Sequence, residues 1–303
     1  MADLSQYSTH FFPPDGTNNS WSNMYQFIPP NTRILDVGCS TGNFGAALGE
    51  LKNCYVVGVD INNDDIEVAA TKLDEAYCLD ISDPRVVESL GSFDVICCAD
   101  VIEHLANPRE ALRSIHGILN KGGIVVYSIP NMAHAAVRLE LMGGKFRYAE
   151  LGLLDRTHMH FYDRSEVEDV FGSASFAIVH ERPTVVTYPR QLFGRKLEEL
   201  GLSVSESFFE MMESTEANVY QFVGVARPSD LDSPADSQKY SFISPPDEIL
   251  EYANTVNRRN IVLSAELGEV STELQETRAR LSEIRHHPFR VLLGAIRRRI
   301  AWK

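Results

Sequence analysis

The stretch ILDVGCSTGNFGAAL, Ile34 to Leu48, decides the fold. The apolar run Ile34-Leu35-Asp36-Val37 reads as a buried strand and Asn43 to Leu51 as a helix, so the glycines between them occupy a strand-to-helix turn. Turns of this kind are where doubly wound α/β proteins receive nucleotides. A nicotinamide-binding turn wants G-x-G-x-x-G, because its second glycine lets backbone amides approach a pyrophosphate. Here the glycines are Gly38, Gly42 and Gly45, and Ser40 stands where that second glycine belongs. Asp36, two residues ahead of Gly38, repels phosphate and suits a ligand with positive charge.

Outward from this turn, strands and helices alternate. CYVVGVD (Cys54 to Asp60), AYCLD (Ala76 to Asp80), FDVICCAD (Phe93 to Asp100) and GGIVVYSIPN (Gly123 to Asn131) read as strands, three of them ending in an acid. Between them lie helical patterns such as Asp64 to Leu73 and Pro108 to Leu119. The alternation implies a parallel sheet with helices on both faces and the three acids on one rim. Past Asn131 come a loop-rich stretch from Met142 to Tyr162, a helix from Ser165 to Phe171, and strands from Phe176 to Val186 and Val219 to Pro228. The late pair is expected to close the sheet antiparallel. A partly helical insert, Tyr188 to Ser214, separates these two strands.

With these residues placed, D-V-G-C-S-T-G resembles the first motif of class I S-adenosylmethionine-dependent methyltransferases, with Ser40 replacing its middle glycine. Asp60 and Asp80 at strand ends, Asp100-Val101-Ile102-Glu103-His104-Leu105 after the fourth strand, and Leu119-Asn120-Lys121-Gly122-Gly123 before the fifth extend the likeness. V-I-E-H is similar to the ubiquinone-pathway O-methyltransferase subgroup. The resemblance implies a Rossmann-like α/β fold with a seven-stranded, mostly parallel sheet, its last strand antiparallel, over residues 1–228. It also implies S-adenosyl-L-methionine as cofactor. Gly38, Cys39, Ser40 and Gly42 would contact the methionyl part, with Asp36 beneath them. Asp60, next to Ile61, would accept from the ribose hydroxyls, since a carboxylate offers two acceptor oxygens and no donor. Asp80 and Ile81 would lie by the adenine, and Asp100 would face the cofactor.

Methyl transfer expels a neutral thioether, so the protein's work is alignment and deprotonation of the acceptor. His104 is the candidate base, because its ordinary pKa lies near neutrality; the alternative is a histidine that fixes the turn. A second arrangement uses Asp155 to Arg164, DRTHMHFYDR. If extended, it projects His158 and His160 to one side, facing Asp100, Glu103 and His104 at helical spacing. The resemblance to related methyltransferases that carry Glu-x-x-Glu-His implies that such a face, with Asp100 as its first ligand and a later histidine, would hold a divalent metal that acidifies the acceptor hydroxyl; otherwise the two histidines belong to a substrate lid or are merely exposed. Glu103, His104 and His158 are therefore the candidate catalytic residues. The aromatic residues Tyr7, Phe11, Phe12, Trp21, Tyr25 and Phe27 either cover the site or pack a helix. Phe208, Phe209, Met211 and Met212 line an acceptor site or pack a core.

The 303 residues carry a net charge of -14, which disfavours nucleic-acid binding. The five cysteines show no CxxC spacing and read as reduced packing residues of a cytoplasmic protein. Residues 229–246 read as a linker. From 247 to 285 a heptad seam (Leu267, Val270, Leu274, Thr277, Leu281, Ile284) reads as a coiled-coil helix suited to homodimerisation. Residues 286–303 form a basic amphipathic tail for a membrane surface or a partner protein. These C-terminal features resemble those of bacterial enzymes that build surface polysaccharides. The expected activity is O-methylation of a small molecule or glycan hydroxyl. N- or C-methylation, metal-dependent RNA 3'-end methylation and a non-catalytic cofactor-binding scaffold are the alternatives.

Overall fold

The computed structural model describes residues 14–229 and 241–242. In chain order the elements are α1 (Ser20–Phe27), β1 (Arg33–Val37), α2 (Asn43–Lys52), β2 (Tyr55–Asp60), α3 (Asn63–Ala69), β3 (Glu75–Cys78), α4 (Pro84–Ser89), β4 (Phe93–Ala99), a 3-10 turn (Ile102–His104), α5 (Pro108–Gly117) and β5 (Leu119–Pro130). There follow α6 (Ala135–Met142), α7 (Arg164–Gly172), β6 (Phe176–Glu181), β7 (Thr184–Val185), α8 (Arg190–Glu199), α9 (Glu206–Met212), α10 (Thr215–Asn218), β8 (Val219–Pro228) and β9 (Ser241–Phe242).

The sheet runs β3-β2-β1-β4-β5-β8-β6-β9, with β7 on β8. Strands β3 to β5 in that order are mutually parallel, and β8 is antiparallel to β5, β6 and β7. The expected seven strands are present, the last antiparallel, and two two-residue strands bring the described total to nine. One addition arises because Pro183, which has no N–H to donate, splits the expected strand Phe176 to Val186 into β6 and β7. The other, β9, pairs in parallel with β6 inside the stretch expected to be a linker. The rest of that linker, the heptad helix and the basic tail lie outside the described residues.

Strand alternation feeds two cores. Leu35, Val37, Val57, Val59, Ile96 and Cys98 join one cluster, while Ile34, Val56, Val95 and Cys97 join that on the opposite face. Burial on both sides explains why these strands read as continuous apolar runs rather than alternating ones. Cys39, Cys54, Cys97 and Cys98 are buried free thiols, as expected of packing residues, whereas Cys78 is exposed. Phe193, Leu197 and Met212, with Phe208 and Phe209 against them, form a separate small core with α6 residues Ala135 and Leu139. The insert therefore packs a core, and none of its four singled-out residues lines a cavity described below. Among the described residues, no helix is long and apolar enough to cross a membrane.

Candidate active site

The C-terminal ends of β1, β2 and β4 open into a cavity of about 550 Å³. Parallel sheets bind ligands at this rim, where the chain order reverses between β1 and β4. Gly38 and Cys39 donate their amides to Val59 O at 2.8 and 3.1 Å, which folds the turn over the end of β2. Gly38 has φ +66°, and a Cβ there would stand 2.7 Å from Val101 Cγ2. Only glycine satisfies both conditions.

Ser40 also adopts a left-handed backbone, φ 47°. Its amide donates to Asp60 Oδ2 at 2.9 Å and its hydroxyl to Asp65 Oδ2 at 3.0 Å. These bonds offset the strain that a middle glycine would avoid, so the departure from the family motif preserves the loop. Asp60 Oδ1 accepts from the amide of Asn62 at 2.9 Å. Each oxygen of Asp60 is thus oriented by one backbone amide, and each retains lone-pair capacity toward the cavity it lines.

Asp80 lies two residues beyond the end of β3 rather than on it, because its carboxylate closes a local turn, accepting from the Ser82 amide at 2.8 Å. It lines the cavity beside Ile61, Ile81 and Ser82. Ile61 is 77 % exposed, an apolar face available to a flat ring.

Asp36 forms the floor of the cavity and is 2 % exposed. Its Oδ2 has no hydrogen-bond partner. Burial, then the neighbouring charge of Asp60, lifts its carboxyl to about 7, against an opposing hydrogen bond from Gly45. An orphaned carboxylate oxygen below a glycine loop fits a cationic ligand. Among the described residues, no Lys or Arg lines this cavity. A pyrophosphate finds no counter-charge here, whereas an ammonium or sulfonium does. The donor set of Asp36, Asp60 and Asp80 therefore fits S-adenosylmethionine, in which case Asp36 and the Gly38 to Gly42 loop would take the methionyl part, Asp60 the ribose, and Asp80 with Ile61 and Ile81 the adenine.

A second cavity, about 450 Å³, adjoins the first. The residues common to both walls are Trp21, Asp100 and His104. Trp21 extends from α1 and packs on Phe44 with ring centroids 5.5 Å apart; of the N-terminal aromatics it is the one that covers the site. Tyr25 and Phe27 pack the core, and Tyr7, Phe11 and Phe12 lie outside the described residues. Asn18 fixes α1 over β7 by exchanging two 2.8 Å bonds with the Val185 backbone.

His104 ends the 3-10 turn after β4, and its Nδ1 lies 3.2 Å from Thr157 O. A carbonyl oxygen only accepts, so this contact assigns the hydrogen to Nδ1 and leaves Nε2 its lone pair. His158 Nδ1 lies 3.3 Å from Leu153 O, with the same consequence. The two rings meet edge to face at 4.9 Å. Burial and then His104 depress the pKa of His158, so it stays neutral.

Glu103 is fully buried with neither carboxyl oxygen hydrogen-bonded. Burial above all, and Asp100 next, push its pKa well above the ordinary carboxyl range. Ligand atoms of Glu103, His104 and His158 fall within 4.8 Å of one another.

The expectation that Asp100 and His160 complete this cluster is corrected. Asp100 has φ +53°, and its Oδ1 accepts from Gln221 Nε2 at 2.8 Å. Residues 155–163 are not a strand: Asp155 Oδ1 accepts from both the amide and the hydroxyl of Thr157, turning the chain, and the alternation that would align His158 with His160 is lost. His160 faces Ala106 O at 3.4 Å and lines a different cavity.

The acceptor-side residues that sequence reading missed are Gln221, Thr184, Tyr220, Leu151 and Leu153. No local motif marks them, for Gln221 meets Asp100 across 121 positions.

Among relatives, the ubiquinone biosynthesis O-methyltransferase of Xanthomonas campestris pv. campestris (strain B100) is 29% identical over 122 residues, 39% of this chain and 51% of that protein. The one of Paracidovorax citrulli (strain AAC00-1) is 32% identical over 133 residues, 42% of this chain and 54% of that protein. The chain thus spans about half the length of the curated relatives it matches. Among solved structures, magnesium protoporphyrin IX methyltransferase from Synechocystis PCC 6803 with bound SAH aligns at a TM-score of 0.44 and 15% identity, covering 66% of this chain and 75% of that one. The profile of the methyltransferase domain matches residues 13–181, more than half of the sequence. The chain therefore belongs to the methyltransferase-domain family.

Proposed function

We propose that this enzyme methylates a hydroxyl oxygen on a small molecule or sugar, with His104 as the base. The observation that carries the reading is the shared wall of the two cavities, which His104 lines on both sides while its Nδ1 is engaged by Thr157 O. The bound cofactor supplies an electrophilic methyl on a cationic sulfur. Asp60 and the Gly38 loop orient the donor, Trp21 closes the junction from above, and His104 Nε2 receives the acceptor's proton as the new O–C bond forms. Oxygen is favoured over nitrogen or carbon because a hydroxyl needs this base, and because the relatives cited above are named for O-methylation.

A second reading is favoured by the orphaned carboxyl of Glu103. Glu103, His104 and His158 would hold a divalent cation, which would lower the pKa of the acceptor hydroxyl. RNA as acceptor is disfavoured, since no Lys or Arg among the described residues lines either cavity. A scaffold without catalysis is disfavoured by the intact Asp60 and Gly38 turn. The heptad segment and basic tail place the enzyme, in this reading, as a cytoplasmic homodimer at a membrane or partner surface where glycans are built. That assignment rests on sequence resemblance.

The test is mass spectrometry of a saccharide and phenol panel incubated with methyl-labelled S-adenosylmethionine, with and without chelator. O-methylated product is expected. Label on nitrogen or carbon only would refute the oxygen reading, and turnover unchanged by chelator would remove the cation.

A further inference from the structure

We propose that Gln221 is a positioning residue that aims the Asp100 carboxylate at the sulfonium of the donor, so that the Thr184–Gln221–Asp100 relay tells S-adenosylmethionine from S-adenosylhomocysteine. The inference rests on the proposed S-adenosylmethionine donor and concerns residues that no motif marks. A methyl group must leave the first cavity toward the second, so the sulfur that carries it belongs at their common wall. Of the three residues there, Asp100 is the one anion.

Its orientation is built. The Asp100 amide donates to Ser128 Oγ at 3.0 Å and to Ser128 O at 3.2 Å, holding the left-handed backbone at the end of β4. Its Oδ1 accepts from Gln221 Nε2 at 2.8 Å. Gln221 is itself clamped by Thr184: the backbone amide of Gln221 donates to Thr184 Oγ1 at 3.2 Å, and Thr184 Oγ1 donates to Gln221 Oε1 at 3.3 Å. Which end of the side-chain amide is the donor is set by the contact with Asp100, since a flipped amide would put two acceptors against each other there, whereas the Thr184 hydroxyl can pair with either end.

Thr184 is 4 % exposed and sits on β7, and Gln221 sits on the antiparallel β8. The relay therefore reaches Asp100 from the part of the sheet that walls the acceptor cavity. The two nucleosides differ at this spot by one positive charge and a methyl. A unit charge ~5 Å from Asp100 at an effective dielectric of about 20 changes binding by up to ~300-fold, and aim decides how much of that is realised.

The experiment is calorimetry of S-adenosylmethionine and S-adenosylhomocysteine binding to the full chain and to Asp100→Asn, Gln221→Met and Thr184→Val. Methionine keeps the volume of Gln221 and deletes its donor. The ratio of the two dissociation constants should shift against S-adenosylmethionine by roughly tenfold in Asp100→Asn and about fivefold in Gln221→Met. Thr184→Val should move it in the same direction by about twofold, with S-adenosylhomocysteine affinity itself within about twofold in every variant. An unchanged ratio in Gln221→Met, or equal losses for both nucleosides, overturns the proposal. Failure of the unaltered chain to bind either nucleoside overturns the donor identity, and this proposal with it.

Discussion

Raising the pH through neutrality should tighten cofactor binding, and Asp36 should be the cause. Its carboxyl titrates at about 7 because burial, and then Asp60, disfavour the anion. Binding a cation needs that anion. Between about pH 5.5 and pH 7.5 the ionised fraction of such a group rises from ~0.03 to ~0.76, so the association constant should rise by ~25-fold if only the carboxylate binds. At the top of this window the ligand's own amino group, with an ordinary pKa of about 7.7 to 8.0, is still mostly protonated.

The same shift has a stability consequence of opposite direction. Between about pH 4 and pH 7 the folded chain keeps a proton that the unfolded chain has released, so this group's contribution to the stability of the free enzyme falls as pH rises, by on the order of 4 kcal/mol over the full window. Calorimetry with S-adenosylhomocysteine in two buffers of different ionisation enthalpy measures both the affinity and the protons released. About 0.9 proton should leave per ligand at pH 6. In Asp36→Asn the affinity should be weak and flat with pH. A flat profile in the unaltered chain, or the same slope in Asp36→Asn, would refute the reasoning.

Three further outcomes are expected. His134 Nε2 donates to Val186 O at 2.8 Å while its Nδ1 caps α6 by accepting from Ala136 N at 3.2 Å, so it must be neutral, and burial lowers its pKa to about 4. Its contribution should be complete above pH 6.5 and be lost by roughly 3 kcal/mol as pH falls to about 4; thermal melts of His134→Asn, which keeps a cap without titrating, should lack that slope. Gly38→Ala combines a left-handed residue with a 2.7 Å clash against Val101 Cγ2, which should cost roughly 2–4 kcal/mol; chemical denaturation should show part of the loss restored by Val101→Ala, and no restoration would mean that the clash is not the cause. His104→Ala should lower kcat by about a hundredfold with cofactor affinity within about threefold, and a variant at full rate would remove His104 as the base.

The donor half of the site was legible because its residues sit next to strand ends. Hydrophobic runs locate a strand, the strand's end fixes the rim, and Gly38, Asp60 and Asp100 follow within a residue or two. Asp80 was placed two residues too early, since a strand's last hydrogen bond leaves no mark in composition. Ser40 looked like a defect in sequence and became intelligible only with Asp60 and Asp65 brought alongside it by the fold. The acceptor half was legible at Trp21, Asp100, Glu103, His104 and His158, and the rest of it was not, for the converse reason. Its wall is assembled from 18–21, 151–158, 184–186 and 220–221, and side chains so far apart in the chain share no periodicity. The alignment predicted for His158 and His160 failed because one turn, closed by Asp155 on Thr157, breaks the strand rule on which it rested.

The charge pattern of the two cavities ties recognition to turnover. Asp36, Asp60, Asp80 and Asp100 line the donor side and Asp155 the acceptor side, with no Lys or Arg among the described residues of either wall. Such a basin attracts a ligand in proportion to its positive charge. A dinucleotide with its pyrophosphate is repelled, and so is a nucleic-acid acceptor, whose phosphates would have to enter the second cavity. The donor arrives with a sulfonium charge that transfer removes as the S–CH3 bond breaks, and with His104 as the proposed base the acceptor's proton passes to it. The attraction is therefore strongest before reaction and weakest after it, and the acids that select the substrate also favour exchange of product for a fresh donor.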